Sequence, residues 1–123
     1  MAGTLVANTI NTDTGLFSTQ NAYQGLAKAW VNFNGTAGTI LNSFNISSIT
    51  KNTTGDYTFA FTTAMSSANY AVAGSVSGAA TASVRALLVS TATAPTTSAV
   101  RVMTSNTSTT EDNTYNSVVI FAS

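Results

Sequence analysis

Three large aromatic rings at alternate positions constrain the fold of this chain more than any other feature of its sequence. They are Tyr57, Phe59 and Phe61, and small or hydroxylated residues separate them. Successive side chains of a strand point to opposite sides, so this pattern is typical of a strand with one buried face; a helix would scatter the rings. The surrounding stretch, Ala27 to Val76, carries the only tryptophan, Trp30, and predicts β-structure almost throughout.

Apolar segments separated by turn residues predict seven strands and no helix. The predicted strands are Lys28 to Phe33, about Leu41 to Lys51, Asp56 to Thr62, Asn69 to Val76, Ser83 to Ser90, Ser98 to Thr104 and Asn116 to Ala122. Gly55 closes a turn in which we expect a positive φ, and a break in apolar parity at Ile49 predicts a β-bulge near Ser47-Ser48. The fold class is therefore all-β: a single antiparallel β-sandwich of about seven strands, jelly-roll-like or Greek-key in topology.

The first 27 residues differ from the sandwich that is predicted over residues 28–123. They form a short N-terminal arm with one or two short strands, and its apolar residues are Leu5, Val6, Ile10, Leu16 and Phe17. The arm is either a frayed terminus or edge strand of its own domain, or a tether that contacts a neighbouring subunit or a larger surface.

Composition narrows the classes of function. The chain has no cysteine and no histidine, which removes disulfides, thiol and imidazole chemistry and the usual zinc ligands. Only 7% of the residues are charged and the net charge is zero, which argues against nucleic-acid binding and favours association with other subunits. No apolar run predicts membrane insertion, and the first residues do not resemble a signal peptide.

The carboxylates do not suggest an active site. Glu111 and Asp112 are neighbours in a polar hairpin loop, Ser105 to Thr114, which we expect to be solvated. Asp56 is expected to bond its own backbone in a turn, and a calcium site in the oxygen-rich run Asn106 to Asn113 is a weaker alternative because that run lacks regular Asp spacing. We therefore expect no enzyme, no cofactor and no metal site.

Two strands that are apolar on both faces predict a symmetric homo-oligomer, unless the arm folds back over the outer face. Arg85 and Arg101 lie inside apolar strands and are expected to pair with carboxylates across a subunit boundary, whereas Lys28 and Lys51 are expected to be solvated at strand ends. The predicted interface residues are Arg85, Leu87, Val89, Arg101, Val119 and Phe121. Four aromatic residues form either a sugar-stacking patch or packing contacts: Tyr23, Trp30, Tyr70 and Tyr115.

Several runs of the chain resemble a module found at the distal ends of bacteriophage tail fibres and tailspikes. They are TLVANTINTDTG, AKAWVNFNGT, SFNISSIT, TGDYTFAFTTAM, SANYAV, RVMTSNTST and NSVVIFAS, and together they cover nearly the whole chain. The resemblance implies a trimeric β-sandwich on the outside of a virion, without catalytic residues or a cofactor. Ser66-Ser67 stand where the module often has Pro-Asp, a loop change that leaves the predicted fold intact.

The short chain lacks the docking domain and shaft of a tail fibre, so we expect a stand-alone role. The preferred hypothesis is a trimeric capsid cement, or decoration, protein on the outer capsid surface, whose arm contacts the major capsid protein. The alternative is a tail fibre or tailspike tip that recognises a host-surface glycan through its loops. The predicted loops are Gly78 to Ala82, Thr93 to Thr97 and Asn106 to Asn113.

Overall fold

The computed structural model describes residues 3–4, 6, 9–12, 15–78 and 84–123, and of residues 9–12 and 15–21 the backbone alone. Within these residues the elements are β1 (Thr9–Thr12), β2 (Gly15–Ser18), α1 (Thr19–Gly25), β3 (Ala29–Asn34), β4 (Thr39–Phe44), β5 (Ile46–Thr53), β6 (Asp56–Phe61), β7 (Ala71–Val76), β8 (Ala86–Val89), β9 (Ala99–Ser105) and β10 (Asn116–Phe121). The prediction of no helix is wrong, because a polar part of the arm forms the two-turn helix α1.

The last eight strands form an antiparallel β-sandwich, which confirms the predicted fold class. One sheet has the order β4-β3-β10-β7 and the other β5-β6-β9-β8. Strands β1 and β2 pair with each other in a separate two-stranded sheet, in which Ile10 is opposite Phe17. The arm hairpin therefore contributes no strand to either sandwich sheet.

The predicted second strand is two strands in different sheets, so the sandwich has eight strands instead of seven. Asn45, with φ of 56°, separates β4 from β5. Its side chain holds the crossing in place: Nδ2 donates to the carbonyl of Lys28 at 3.0 Å, and Oδ1 accepts from the Thr63 amide at 2.7 Å. The predicted bulge near Ser47-Ser48 is confirmed by a register shift between Ile46 and Ser48.

The core lies between the inward faces of β3, β6, β9 and β10. Alternation of buried and less buried residues is clearest in β6, where Tyr57, Phe59 and Phe61 point inward as their spacing predicts. The Phe33 ring packs edge-to-face against Tyr57 and Phe59, with centroids 5.0 and 5.1 Å apart. Valine and isoleucine side chains fill the remaining space: Val31, Val100, Val102, Val118 and Ile120. Since the core takes one face of each sheet, the opposite faces are the available surfaces.

Candidate functional site

The outer face of the β4-β3-β10-β7 sheet is apolar at one end. Trp30 lies directly opposite Phe44 on one side and Val119 on the other, and Phe121 follows Val119 on the same face. Trp30 and Val119 are half-buried, while Phe44 is 54% and Phe121 38% exposed. We call these four residues the apolar strip.

The apolar strip lies on a sheet without charge, because none of the residues of β3, β4, β7 and β10 is ionisable. In an antiparallel sheet with one face on the core, the side chains of the core face are normally apolar and those of the outward face are normally polar. Contiguous exposed apolar surface on a soluble domain commonly marks a contact with another protein. The strip is therefore a candidate protein–protein interface.

A groove of about 580 Å³ continues from the apolar strip around the end of the sandwich. Phe44 belongs to both, and the groove is also lined by Tyr23 and Leu26, near the end of α1, and by Met65 and Ala122. Lys28, just before β3, donates a hydrogen bond to the carbonyl of Tyr23. The arm thus joins the sandwich beside the strip.

The next row of the same sheet face, two residues along each strand from the apolar strip, is polar. Asn42, Asn32, Ser117 and Ser75 are consecutive cross-strand neighbours along a row that crosses β4, β3, β10 and β7. With Leu41 and Tyr115 they line a cleft of about 370 Å³, which we call the polar cleft. At one side of the row the hydroxyls of Ser75 and Ser117 share a hydrogen bond of 2.7 Å.

The loop between β9 and β10 is fixed to the sandwich, and the predicted solvated hairpin loop is wrong. Its two strands lie in different sheets, so the loop crosses the end of the domain. The carboxylate of Asp112 accepts hydrogen bonds from Lys51 Nζ at 2.6 Å, the Tyr57 hydroxyl at 2.7 Å and the Gly55 amide at 2.8 Å. Lys51 is therefore part of an ion pair and is not the solvated charge that was predicted.

The two arginines of the predicted interface, which were expected to pair across a subunit boundary, each lie against a carboxylate of the same chain. Arg101 makes two hydrogen bonds to the Asp56 carboxylate, at 2.8 and 2.5 Å, on the outer face of the β5-β6-β9-β8 sheet. Asp56 also accepts from Asn52 and does not cap its own turn. Arg85 pairs with Glu111 of the fixed loop. Each arginine is therefore placed against a carboxylate of its own domain.

The remaining predicted interface residues do not share one surface. Val119 and Phe121 belong to the apolar strip, whereas Leu87 packs against the core and Val89 is 38% exposed at the edge of the opposite sheet. A cyclic trimer joins two different surfaces of neighbouring subunits, so this placement leaves the trimer a prediction.

The structure describes some of the arm residues that were predicted to contact the capsid. Leu5 lies outside the described residues, and Val6 is 87% exposed. Ile10 belongs to β1, and Leu16 and Phe17 to β2, which places them on one hairpin.

The four candidate sugar-stacking rings do not form one patch. Tyr70 packs edge-to-face on Phe61, and its hydroxyl donates to the carbonyls of Thr96 and Ala99, so it is a structural residue. Trp30 belongs to the apolar strip and Tyr23 lines the groove beside α1. Tyr115 alone, 69% exposed, lies at the polar cleft.

The described residues contain no group of three or more acidic, histidine or cysteine side chains that is arranged to hold a metal ion. No helix in the same part of the chain is long and apolar enough to cross a membrane. Comparison of the chain with protein-family models, curated proteins and solved structures finds no match.

The Asp112 contacts predict an acid-sensitive part of the stability. Burial raises the pKa of Asp112, but hydrogen bonds from Lys51, the Gly55 amide and the Tyr57 hydroxyl outweigh it and hold the pKa below its ordinary value. Such a carboxylate stabilises the fold above its unfolded pKa of about 3.9, and the contribution is lost as the pH falls through the folded value. Asp112→Asn is expected to lower the free energy of unfolding by about 1–3 kcal/mol at pH 6 and to reduce its loss on acidification.

Urea unfolding at about pH 6 and at pH values below about 4 measures both effects. The variant is expected to retain a smaller pH dependence, since the Arg101 hydrogen bonds also hold the pKa of Asp56 below its ordinary value. An unchanged loss of stability between the two conditions would show that Asp112 does not carry this effect.

Proposed function

We propose that this protein is a structural virion protein: a homotrimeric cement, or decoration, protein that lies on the outer capsid surface, contacts the major capsid protein and reinforces the shell. The observation that carries the proposal is the apolar strip of Trp30, Phe44, Val119 and Phe121 on a sheet face without charge. The chain has neither histidine nor cysteine, and the surfaces that stand out on the domain suit contacts more than catalysis.

The apolar strip supports the trimer because neighbouring copies of the same chain can bury it. Each 100 Å² of apolar surface removed from water contributes roughly 2.5 kcal/mol before the costs of association. Charge repulsion between copies is small, since the net charge is zero. In a cyclic trimer the contact forms three times, so a modest strip stabilises the assembly repeatedly.

The arm supports attachment to a larger particle. Its hairpin, β1 and β2, pairs with neither sandwich sheet, and a two-stranded hairpin alone is only marginally stable in water. The hairpin carries Ile10, Leu16 and Phe17 and needs a second surface. The resemblance to virion-surface modules makes the capsid the proposed surface.

Mixing the purified chain with undecorated capsids and, separately, with host cells tests the proposal. We expect saturable binding to capsids at a fixed ratio per capsomer and no binding to cells. Binding to cells without binding to capsids would overturn the cement function and support the tail fibre or tailspike tip instead.

Deletion of residues 1–17 is expected to abolish capsid attachment and to leave the trimer intact, because the deletion removes the hairpin but none of the apolar strip. Cosedimentation with capsids measures attachment, and sedimentation velocity of the variant alone is the control for assembly. Attachment that survives the deletion would show that the arm is not the capsid contact.

A further inference from the structure

We infer that the free edge of β7 pairs with the same edge of a second copy, in an antiparallel two-fold contact that links neighbouring trimers. The link between trimers rests on the proposed function, whereas the pairing itself depends only on the backbone of this chain. β7 lies at the edge of its sheet and pairs with β10 alone among the described strands. Its other edge therefore offers unpaired backbone groups to a further strand.

β7 lacks the features by which edge strands commonly avoid pairing, which are charge, proline, bulges and short length. It has six residues, Ala71–Val76, none of them charged or proline, and its register against β10 is unbroken. The other three edge strands of the sandwich are each protected. The pairings of β4 and β5 with their neighbours contain register shifts, and β8 has only four residues. β7 is therefore the edge to which a strand is most readily added.

Alternate residues of β7 present their backbone groups to this edge. Antiparallel partners alternate between pairs that exchange hydrogen bonds and pairs that do not. The Ser77 amide donates to the Tyr115 carbonyl at 2.8 Å, in the pair just beyond the end of β7. Alternation from this pair bonds the odd-numbered residues of β7 to β10 and leaves the N–H and C=O groups of the even-numbered residues pointing outward. The outward residues are Val72, Gly74 and Val76.

The sequence around Gly74 is complementary to itself in antiparallel register. A two-fold axis at Gly74 places this residue opposite its own copy and places Val72 opposite Val76 of the second copy, so each of these pairs exchanges both hydrogen bonds. Ala73 then lies opposite Ser75 of the second copy, and both side chains are small. Like charges directly opposite each other destabilise a strand pair, and β7 brings none together. A second copy of the chain is therefore the partner that this edge fits.

The edge of β7 is accessible beside the apolar strip. Its exposed residues are Ala71, Ala73, Gly74 and Ser75. An added Cβ at Gly74 would lie 2.6 Å from Leu87 Cδ2, so β8 covers the core-facing side of β7 and not its edge. The backbone groups of an edge point along the sheet, whereas the side chains of the apolar strip point away from it. The strip and the edge can therefore be used at the same time.

The contact is small, so it acts between trimers that are already held side by side. Each strand is roughly 20 Å long, and such a pair buries less than the roughly 1,600 Å² of a standard stable interface. Neighbours held on one surface meet at effective concentrations that are roughly millimolar. Each trimer has three such edges, so two-fold contacts join trimers into a net over the capsid.

Disulfide trapping in the full chain, which has no cysteine of its own, tests the register. Ala73→Cys and Ser75→Cys are mixed in equal amounts at about 1 mM and oxidised. Facing residues of this kind of pair have Cα atoms about 4.5 Å apart, within the range of a disulfide. We expect at least about fivefold more disulfide-linked dimer from the mixture than from either variant alone, because identical residues lie roughly 7–8 Å apart across the axis.

Ser48→Cys and Thr50→Cys are the matched control, because both residues are exposed and have the same spacing on the β5 edge. Their mixture is expected to give no more dimer than its single variants. The edge contact would be overturned by a mixture of Ala73→Cys and Ser75→Cys that yields no more dimer than either variant alone, or no more than the β5 mixture.

Cosedimentation of the same variants with undecorated capsids separates the edge contact from the cement function, since the substitutions leave the arm and the apolar strip unchanged. Capsid binding without cross-linking specific to the β7 register contradicts the edge contact and leaves the cement function standing. A wild-type chain that does not bind capsids contradicts the cement function, and cross-linking in solution then still decides whether the edges pair.

Discussion

Replacing Gly55 with alanine is expected to lower the free energy of unfolding by about 3 kcal/mol, through backbone strain and overpacking together. Gly55 has a φ of +65°, and an added Cβ would lie 2.6 Å from both Glu111 N and Thr104 O and 2.7 Å from Glu111 O. These are backbone atoms of β9 and the fixed loop, so they cannot turn away as a side chain does. Denaturant unfolding followed by circular dichroism measures the loss.

Gly38→Ala is the matched control for this substitution. Gly38 has nearly the same φ, +66°, but the three atoms nearest to its added Cβ would all belong to the side chain of Lys51, the closest at 3.1 Å. We expect a loss of about 1–2 kcal/mol, the cost of the left-handed backbone. Equal losses at the two glycines would show that the contact with Glu111 and Thr104 does not matter and that the β9–β10 loop is held loosely.

Gly55 also shows which part of the fold the sequence alone could predict. The Asn52 to Gly55 turn and its positive φ follow from local residue preferences, and the structure confirms them. The closeness of Glu111 does not follow, because it depends on how the β9–β10 loop crosses the end of the sandwich. The same crossing brings Asp112 into contact with Lys51 and Tyr57. The loop, which was expected to be solvated, is therefore fixed to the sandwich.

The candidate site was predictable in its parts but not in its arrangement. Alternation along β3 puts Trp30 on the face opposite to Val31, which is the buried one. The apolar strip exists only because β3 pairs with β4 on one side and with β10 on the other. Pairing between β3 and β10, at opposite ends of the domain sequence, leaves no local signal.

The partners of the arginines were unpredictable for a related reason. A cation inside an apolar strand needs a carboxylate, which the sequence indicated correctly. Asp56 and Arg101 meet because β6 and β9 are neighbours in one sheet, a pairing that the sequence does not specify. With both arginines placed against carboxylates of the same domain, the uncharged strip and the polar cleft are its candidate contact surfaces among the described residues.

Replacing Phe44 and Phe121 together with serine is expected to convert the proposed trimer to monomer. Both rings are exposed in the single chain, 54% and 38%, so the variant removes apolar contact area between copies and little from the core. Loss of two aromatic contacts in each of three interfaces is expected to weaken assembly at least about 100-fold. Sedimentation velocity over a range of concentrations measures the change.

Trp30, the only tryptophan, reports the same event from within the apolar strip. Its fluorescence emission is expected at shorter wavelength in the wild type, where a neighbouring copy covers it, and to shift to longer wavelength in the double variant. Tyr115→Ser controls for position, because it removes an exposed ring from the polar cleft of the same sheet face and is expected to preserve the trimer. Two results would contradict burial of the strip between copies. One is a wild-type chain that sediments as a monomer with a solvent-exposed Trp30, and the other is a double variant that remains trimeric. The proposed structural role would then depend on the arm alone.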